Sequence, residues 1–200
     1  MEEFNKKIED IKNLEDKLSG KLPVTREDLI ALINTHGRKE YFNILNENHN
    51  LCINKKIEPQ ECLPLENLDV SKIQDFSHVF AGSYYNGDLS KWKFNHAKFF
   101  IEMFAKSDFN NDSLRCLDFE KIINAGYMFY KSKFCGDISN WINYDNTILD
   151  NMFYLNENFK NKYNNGENIP EFTNTWIKNH CNDQILNYFE FEEKDINFER

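Results

Sequence analysis

Hydrophobic positions between residues 63 and 160 recur at intervals of 24 or 25 residues. The clearest column is a phenylalanine that follows an apolar residue in every unit; its members are Phe80, Phe104, Phe129 and Phe153. Further apolar columns lie fifteen, twelve, ten and four residues before this phenylalanine and about five residues after it. Because one such unit cannot bury its apolar side chains alone, the pattern predicts an array of about four stacked repeats with a shared core.

Each unit carries two different internal patterns. Segments 68–70, 92–94 and 117–119 alternate apolar and polar residues, which is typical of a half-buried strand. The apolar positions that follow, as in 73–80, are spaced for one or two helical or 3-10 turns. Gly-Asp pairs, as at 87–88, then predict a tight turn. The predicted fold class is an α/β repeat solenoid in which each coil is a short strand followed by a helical turn.

Several of these units also carry a recognisable motif. Residues 85–92 (YNGDLSKW) and 134–141 (FCGDISNW) resemble the FNGDIS-x-W signature of BspA-type leucine-rich repeats, and residues 69–73 (DVSKI) resemble the DVS-x-V element of the same repeats. The second unit departs from that element and reads KFNHA at 93–97. The resemblance covers roughly residues 22–160 and implies a leucine-rich-repeat solenoid. This family includes bacterial surface proteins and Mycoplasma lipoproteins, is largely of unknown function, and offers no catalytic residues to carry over.

The segment before the repeats is expected to close one end of the array. An apolar stripe at helical spacing predicts a helix at about 1–19. A second helix is predicted at about 26–36, with Thr25 as its N-cap and Asp28 completing a capping box. A short helix is predicted at 40–46. We interpret 1–62 as an N-terminal helical cap and 63–160 as the BspA-like repeats.

The segment after the repeats is expected to close the other end. Residues 161–168 are polar and contain a glycine, which predicts a loop. Pro170 suits the start of a helix at about 171–181. The remaining residues interleave aromatic and acidic side chains. We interpret 161–200 as a C-terminal cap that ends in an acidic aromatic tail.

The amino-acid composition limits the partners and the cellular compartment that we expect for the protein. The chain has 33 acidic and 24 basic residues and a net charge of −9, which disfavours direct binding to nucleic acid and points to a basic partner or to simple solubility. The longest apolar runs are too short for a membrane helix, and the first 20 residues contain no apolar core of a secretory signal. Five cysteines without a CxxC motif suggest reduced thiols. We therefore expect a cytoplasmic bacterial protein with no membrane contact, no metal and no cofactor. A monomer is favoured, with self-association through 1–19 as the alternative.

Two sets of residues are candidates for partner binding. The first is a row in the outward positions of the predicted strands and two residues beyond each of them: Asp69, Ser71, Lys93, Asn95, Asp118 and Glu120. The second lies in the acidic tail: Glu190, Glu192, Glu193 and Asp195. The alternative for both sets, which the pattern favours, is ordinary solvated positions without a binding role. Trp92 and Trp141 share one column, and we expect them to pack in the core.

No sequence pattern supports an enzyme, and two kinds of protein binder are left. The first is a non-enzymatic protein-protein interaction module that uses the surface of the repeats. The alternative is a small acidic inhibitor, of a phage or mobile-element type, that presents carboxylates to a nucleic-acid-processing enzyme. The two differ in salt dependence, because an acidic contact with a basic groove weakens steeply as ionic strength rises.

Overall fold

The structure is a computed structural model that describes residues 9, 12–13, 15–36, 65–142, 144–171, 173 and 175–177. The described residues between 9 and 18 are helical, in agreement with the helix predicted at about 1–19. The predicted helix at 40–46 and the acidic tail lie outside the described residues. No helix among the described residues is long and apolar enough to cross a membrane.

Four repeats of similar conformation stack on one another in parallel register. They span residues 65–88, 89–113, 114–137 and 138–160, and each is centred on one phenylalanine of the column found in the sequence. At each of the three interfaces, backbone amides at the same four positions of one repeat donate to four carbonyls of the next repeat, at 2.7–3.1 Å between nitrogen and oxygen, and Phe119 adds a fifth bond at the third interface. The donor and acceptor residues are 23 or 24 positions apart in the chain, and the bridged residues of successive repeats are 24 or 25 apart, so the predicted repeat period is confirmed.

The predicted α/β leucine-rich-repeat solenoid is wrong. In the part of the chain that the structure describes, pairing consists of isolated parallel bridges, such as Asp75 with Phe99 and Phe99 with Asn124, without strands or a sheet. The predicted helical turns are absent as well, since residues 76–83 form consecutive tight turns closed by hydrogen bonds three residues apart. The spacing of apolar residues correctly predicted which side chains are buried, but it did not determine the backbone conformation.

Backbone torsions explain why neither strands nor helices form. Two positions in every repeat, two residues before and two residues after the central phenylalanine, have φ between 50° and 66°. They are His78, Glu102, Tyr127 and Asn151, and Gly82, Lys106, Lys131 and Leu155. A strand or a right-handed helix requires an unbroken run of residues with negative φ. The two left-handed residues of each repeat lie four positions apart, and each of them interrupts such a run.

The interior is a stack of aromatic rings. Neighbouring rings of the central column are 5.1–5.7 Å apart between centroids and within 5° of parallel. They belong to Phe80, Phe104, Phe129 and Phe153, which are all at most 2% exposed. Trp92 and Trp141 are buried too, and their indole N–H groups donate to the carbonyls of Leu65 and Leu114, so the expectation that they pack in the core is confirmed.

Two helices lie at the ends of the stack. Helix α1, Arg26–His36, begins with the predicted capping box, in which Thr25 and Asp28 exchange hydrogen bonds between side chain and backbone. Helix α2, Glu157–Tyr163, includes three residues of the predicted loop 161–168 and packs Phe159 on Phe153. Thr173 and residues 175–177 are helical, within the helix predicted at about 171–181. A short 3-10 helix, Asp112–Leu114, lies at the junction of the second and third repeats.

Arg26 takes the place of a missing repeat at the start of the stack. In the second repeat, the carbonyls of Phe99 and Ile101 accept hydrogen bonds from backbone amides of the first repeat. The equivalent carbonyls of the first repeat belong to Asp75 and Ser77. Arg26 Nε donates to the Asp75 carbonyl at 3.0 Å, and its Nη2 donates to the Ser77 carbonyl at 2.7 Å. One guanidinium therefore satisfies two acceptors that later repeats satisfy with backbone.

Candidate functional site

The structure places the first set of predicted site residues on the surface, at matching positions of successive repeats. Asp69, Lys93 and Asp118 lie eleven residues before the central phenylalanines, and Ile142 occupies the same position in the fourth repeat. Lys93 and Asp118 are exposed, whereas Asp69 is half-buried. We name these four positions the outward row. The predicted tail residues Glu190, Glu192, Glu193 and Asp195 lie outside the described residues.

Two carboxylates of the outward row accept hydrogen bonds from backbone amides two residues later in the chain. Asp69 Oδ1 accepts a hydrogen bond from the Ser71 amide at 3.0 Å, and Asp118 Oδ1 accepts one from the Glu120 amide at 2.9 Å. The hydrogen bonds from Ser71, aided by the charges of Lys72 and Lys93, hold the pKa of the Asp69 carboxyl below its usual value. The signal for these turns in the sequence was the aspartate itself, whose side chain commonly accepts from the amide two residues later; the turn at Asp69 reads Asp-x-Ser and that at Asp118 reads Asp-x-Glu.

Lys93 breaks this arrangement in the second repeat, because an ammonium group cannot accept a hydrogen bond from the amide two residues later. The backbone pairing of the outward row is also interrupted there. On one side, Val24 N donates to the Asp69 carbonyl; on the other, Phe119 N donates to the Ile142 carbonyl. The amides of residues 93–95 donate no hydrogen bond to any residue that the structure describes. The row therefore contains an open stretch of backbone between two paired ends.

A groove lies beside this open stretch, between the second and third repeats. It has a volume of about 420 Å³. Its apolar lining includes Trp92, Phe94, Leu117 and Ile122, and the polar residues that line it are Lys93, Asn95, Cys116, Asp118, Glu120 and Lys121. Four of the six residues predicted for the outward face thus border one cavity, while Asp69 and Ser71 do not. We name this cavity the inter-repeat groove.

A second hollow extends the inter-repeat groove toward the fourth repeat. It has a volume of about 400 Å³ and shares Glu120, Lys121 and Ile122 with the groove. Ile123, which lines it, has 49% of its surface exposed, and Ile142, next to Asp118 in the outward row, has 52% exposed. Large apolar side chains left exposed beside a hollow are typical of surfaces that contact another molecule. Periodicity missed both isoleucines, since they occupy positions that are polar in most repeats.

The charges around the two hollows are mixed. Lys93 and Lys121 contribute positive charge, and Asp118, Glu120 and Asp145 contribute negative charge. Within the described residues, no three His, Cys, Asp or Glu side chains are placed to hold a metal ion. The inter-repeat groove and the second hollow are partly apolar and carry both signs of charge, and the groove borders unpaired backbone amides. Such a surface is suited to hold an extended peptide segment.

A second structural feature missed by the sequence reasoning is a buried polar column three residues after each central phenylalanine. Its members are Ser83, Ser107, Ser132 and Asn156. Asn156, which is fully buried, donates from Nδ2 to Ser132 Oγ and to the Phe134 carbonyl, and its Oδ1 accepts from the Phe159 amide at the start of α2. The signal available in the sequence was the serine recurring at the same period, which a search for apolar columns alone passes over.

Comparison with known proteins gives one match. A family model described as a Mycoplasma protein of unknown function, DUF285, matches residues 50–166, which is more than half of the chain and includes all four repeats. No curated protein and no solved structure matches the chain. The chain belongs to this Mycoplasma protein family of unknown function, DUF285.

Proposed function

We propose that the protein is a non-enzymatic protein-protein interaction module that holds an extended segment of a partner protein in the inter-repeat groove. The observation that carries the proposal is that the amides of residues 93–95, which border the groove, donate no hydrogen bond to any described residue, although the Phe94 carbonyl accepts one from the Ala97 amide. Unpaired amides at a backbone edge are a template on which another chain can pair. Main-chain hydrogen bonds would supply affinity, and side-chain contacts in the groove would supply specificity.

The geometry also indicates what kind of segment fits. The apolar lining favours an apolar side chain inserted near Trp92 and Ile122. The flanking charges favour a segment that carries one acidic and one basic residue, opposite Lys93 and Asp118. Because both signs of charge surround the groove, we expect the affinity to fall less steeply with rising salt concentration than that of an acidic surface on a basic groove.

The acidic-inhibitor alternative remains a prediction without an observation in its favour. Its main candidates, the tail carboxylates, lie outside the described residues. We further propose, from the sequence, that the protein acts as a cytoplasmic monomer and that its repeats are related to the BspA-type motif.

Selection of random peptides displayed on phage against the full chain tests the proposal. The groove variant is Lys93→Gln with Asp118→Asn, in which the asparagine oxygen can still accept from the Glu120 amide. The matched control is Lys91→Gln with Asp88→Asn, because Asp88 accepts from the Ser90 amide in the same way and both residues lie outside the groove.

We expect selected peptides to bind the groove variant about tenfold more weakly than the wild type, and the control variant with nearly unchanged affinity. Equal binding to all three proteins, or the absence of any enriched peptide, would contradict the proposal. A steep loss of affinity at high salt would favour the acidic inhibitor instead.

A further inference from the structure

Three tyrosines of the third and fourth repeats form an exposed cluster away from the inter-repeat groove. Tyr130 and Tyr154 stack with centroids 5.9 Å apart, and Tyr127 meets each of them edge to face at 6.1 and 6.4 Å. Tyr127 has 38% of its surface exposed and Tyr154 has 46% exposed. None of the three lines the groove or the hollow beside it.

The repeat architecture does not require aromatic residues at these positions. The first two repeats have Ala81 and Ala105 where the third and fourth have Tyr130 and Tyr154, and all four repeats pair their backbones in the same way. Tyr127 has a φ of 55°, a conformation that is costly for a bulky side chain. The cluster therefore adds exposed aromatic surface and local strain without any benefit to the core.

Two lysines accompany the tyrosines. The ammonium groups of Lys106 and Lys131 lie 5.9 and 5.4 Å from the centroid of the Tyr130 ring. These five side chains, which we name the tyrosine-lysine patch, carry two positive charges and no carboxylate, on a chain with a net charge of −9. Asp108, two residues after Lys106, pairs with Lys133 at 3.1 Å.

We propose that the tyrosine-lysine patch is a second contact surface, which docks an acidic segment of a partner protein. Carboxylates of the segment contact Lys106 and Lys131, and its apolar atoms lie on the rings of Tyr127 and Tyr154. Tyrosine suits this task because it offers a large, rigid contact area that loses little conformational entropy on binding. A single-stranded nucleic acid is a poorer fit, because it carries a phosphate on every nucleotide and two lysines neutralise only two of them on a chain of net charge −9.

The proposal goes beyond the function of the groove, and the two surfaces are tested by different variants. The probe is a fluorescently labelled random copolymer of glutamate and tyrosine, titrated with the full chain and followed by fluorescence anisotropy. The patch variant is Lys106→Gln with Lys131→Gln, and a second patch variant is Tyr154→Ala, which restores the residue found in the first two repeats. The matched control is Lys72→Gln with Lys91→Gln, two exposed lysines of the same charge outside the patch.

We expect each patch variant to bind the copolymer about tenfold more weakly, with the control within about twofold of the wild type. Circular dichroism melts confirm that all variants are folded. Three results would overturn the proposal: no binding by the wild type, an equal loss in the control, or tighter binding of a labelled oligothymidylate than of the copolymer. Dimerisation that the patch variants abolish would also overturn it, since the patch would then serve a second copy of the chain.

Discussion

Replacing Arg26 with methionine removes the side chain that completes the first end of the stack. Methionine keeps the length and the helix propensity of arginine at the first position of α1, so the helix itself is little affected. The change deletes the hydrogen bonds to the Asp75 and Ser77 carbonyls and the ion pair with the Asp75 carboxylate, whose Oδ2 lies 3.6 Å from Nε.

The size of the effect follows from these contacts. A hydrogen bond from a charged donor contributes about 1.5–3 kcal/mol, and the lower end applies here because the Arg26 side chain is 31% exposed. Removing a positive charge from the N-terminus of α1 returns about 0.3–1 kcal/mol through the helix dipole. The net expectation is a loss of about 2–3 kcal/mol in the free energy of unfolding, or about 4–12 °C in the melting temperature of a chain of this size.

Urea unfolding followed by circular dichroism measures this change. Arg115→Met is the matched control, because Arg115 is exposed and its side chain forms no hydrogen bond or ion pair with the residues that the structure describes. We expect the control to change the free energy of unfolding by less than about 0.5 kcal/mol. If Arg26→Met proves as stable as Arg115→Met, the guanidinium does not replace a repeat, and the reasoning is refuted.

Three further substitutions test other parts of the stack, each by urea unfolding. Trp141→Phe leaves the Leu114 carbonyl without its indole donor at 2.7 Å and should cost about 1–3 kcal/mol; no measurable loss would contradict the role of the indole N–H. Asn156→Ala removes both the N-cap of α2 and the donor to the Phe134 carbonyl and should cost about 2–4 kcal/mol, whereas a cost near zero would mean that the column is not structural. Asp75→Asn should destabilise the protein at neutral pH but not in strong acid. Although burial raises the pKa of Asp75, hydrogen bonds from Ser77 and the charge of Arg26 lower it overall, so its carboxylate stabilises the fold above about pH 4 and loses that effect as the pH falls through the lowered pKa. A pH-independent difference would contradict this.

The repeat period and the core were predictable because burial depends on the spacing of apolar residues. The columns of Phe104 and Trp92, for example, are buried as the sequence indicated. The backbone conformation was not predictable in this way. Residues with a left-handed conformation, such as Glu102 and Tyr127, are not glycines, so their residue types do not indicate that conformation. The tight turns that replace the predicted helical turns therefore could not be predicted from the composition.

The candidate site was predictable only in part. The outward row followed from the alternation of apolar and polar residues, which located Lys93 and Asp118. The groove beside them borders a backbone interruption at Lys93, which stands where the first and third repeats have aspartate. The interruption concerns which neighbouring repeat the amides of 93–95 reach, and the sequence pattern alone does not show this. The tyrosine-lysine patch was missed because its residues differ from repeat to repeat, and a search for recurrence discards such positions.

Hydrogen-deuterium exchange of the free protein, resolved to single amides by NMR, tests the central claim most directly. The account predicts that the amides of residues 93–95 exchange almost without protection, while those of Phe100 and Phe104, which donate to the third repeat, are strongly protected. A peptide selected by the groove should then slow exchange at 93–95. Protection at 93–95 in the free protein equal to that at Phe100 and Phe104 would contradict the claim, since the backbone edge would already be paired.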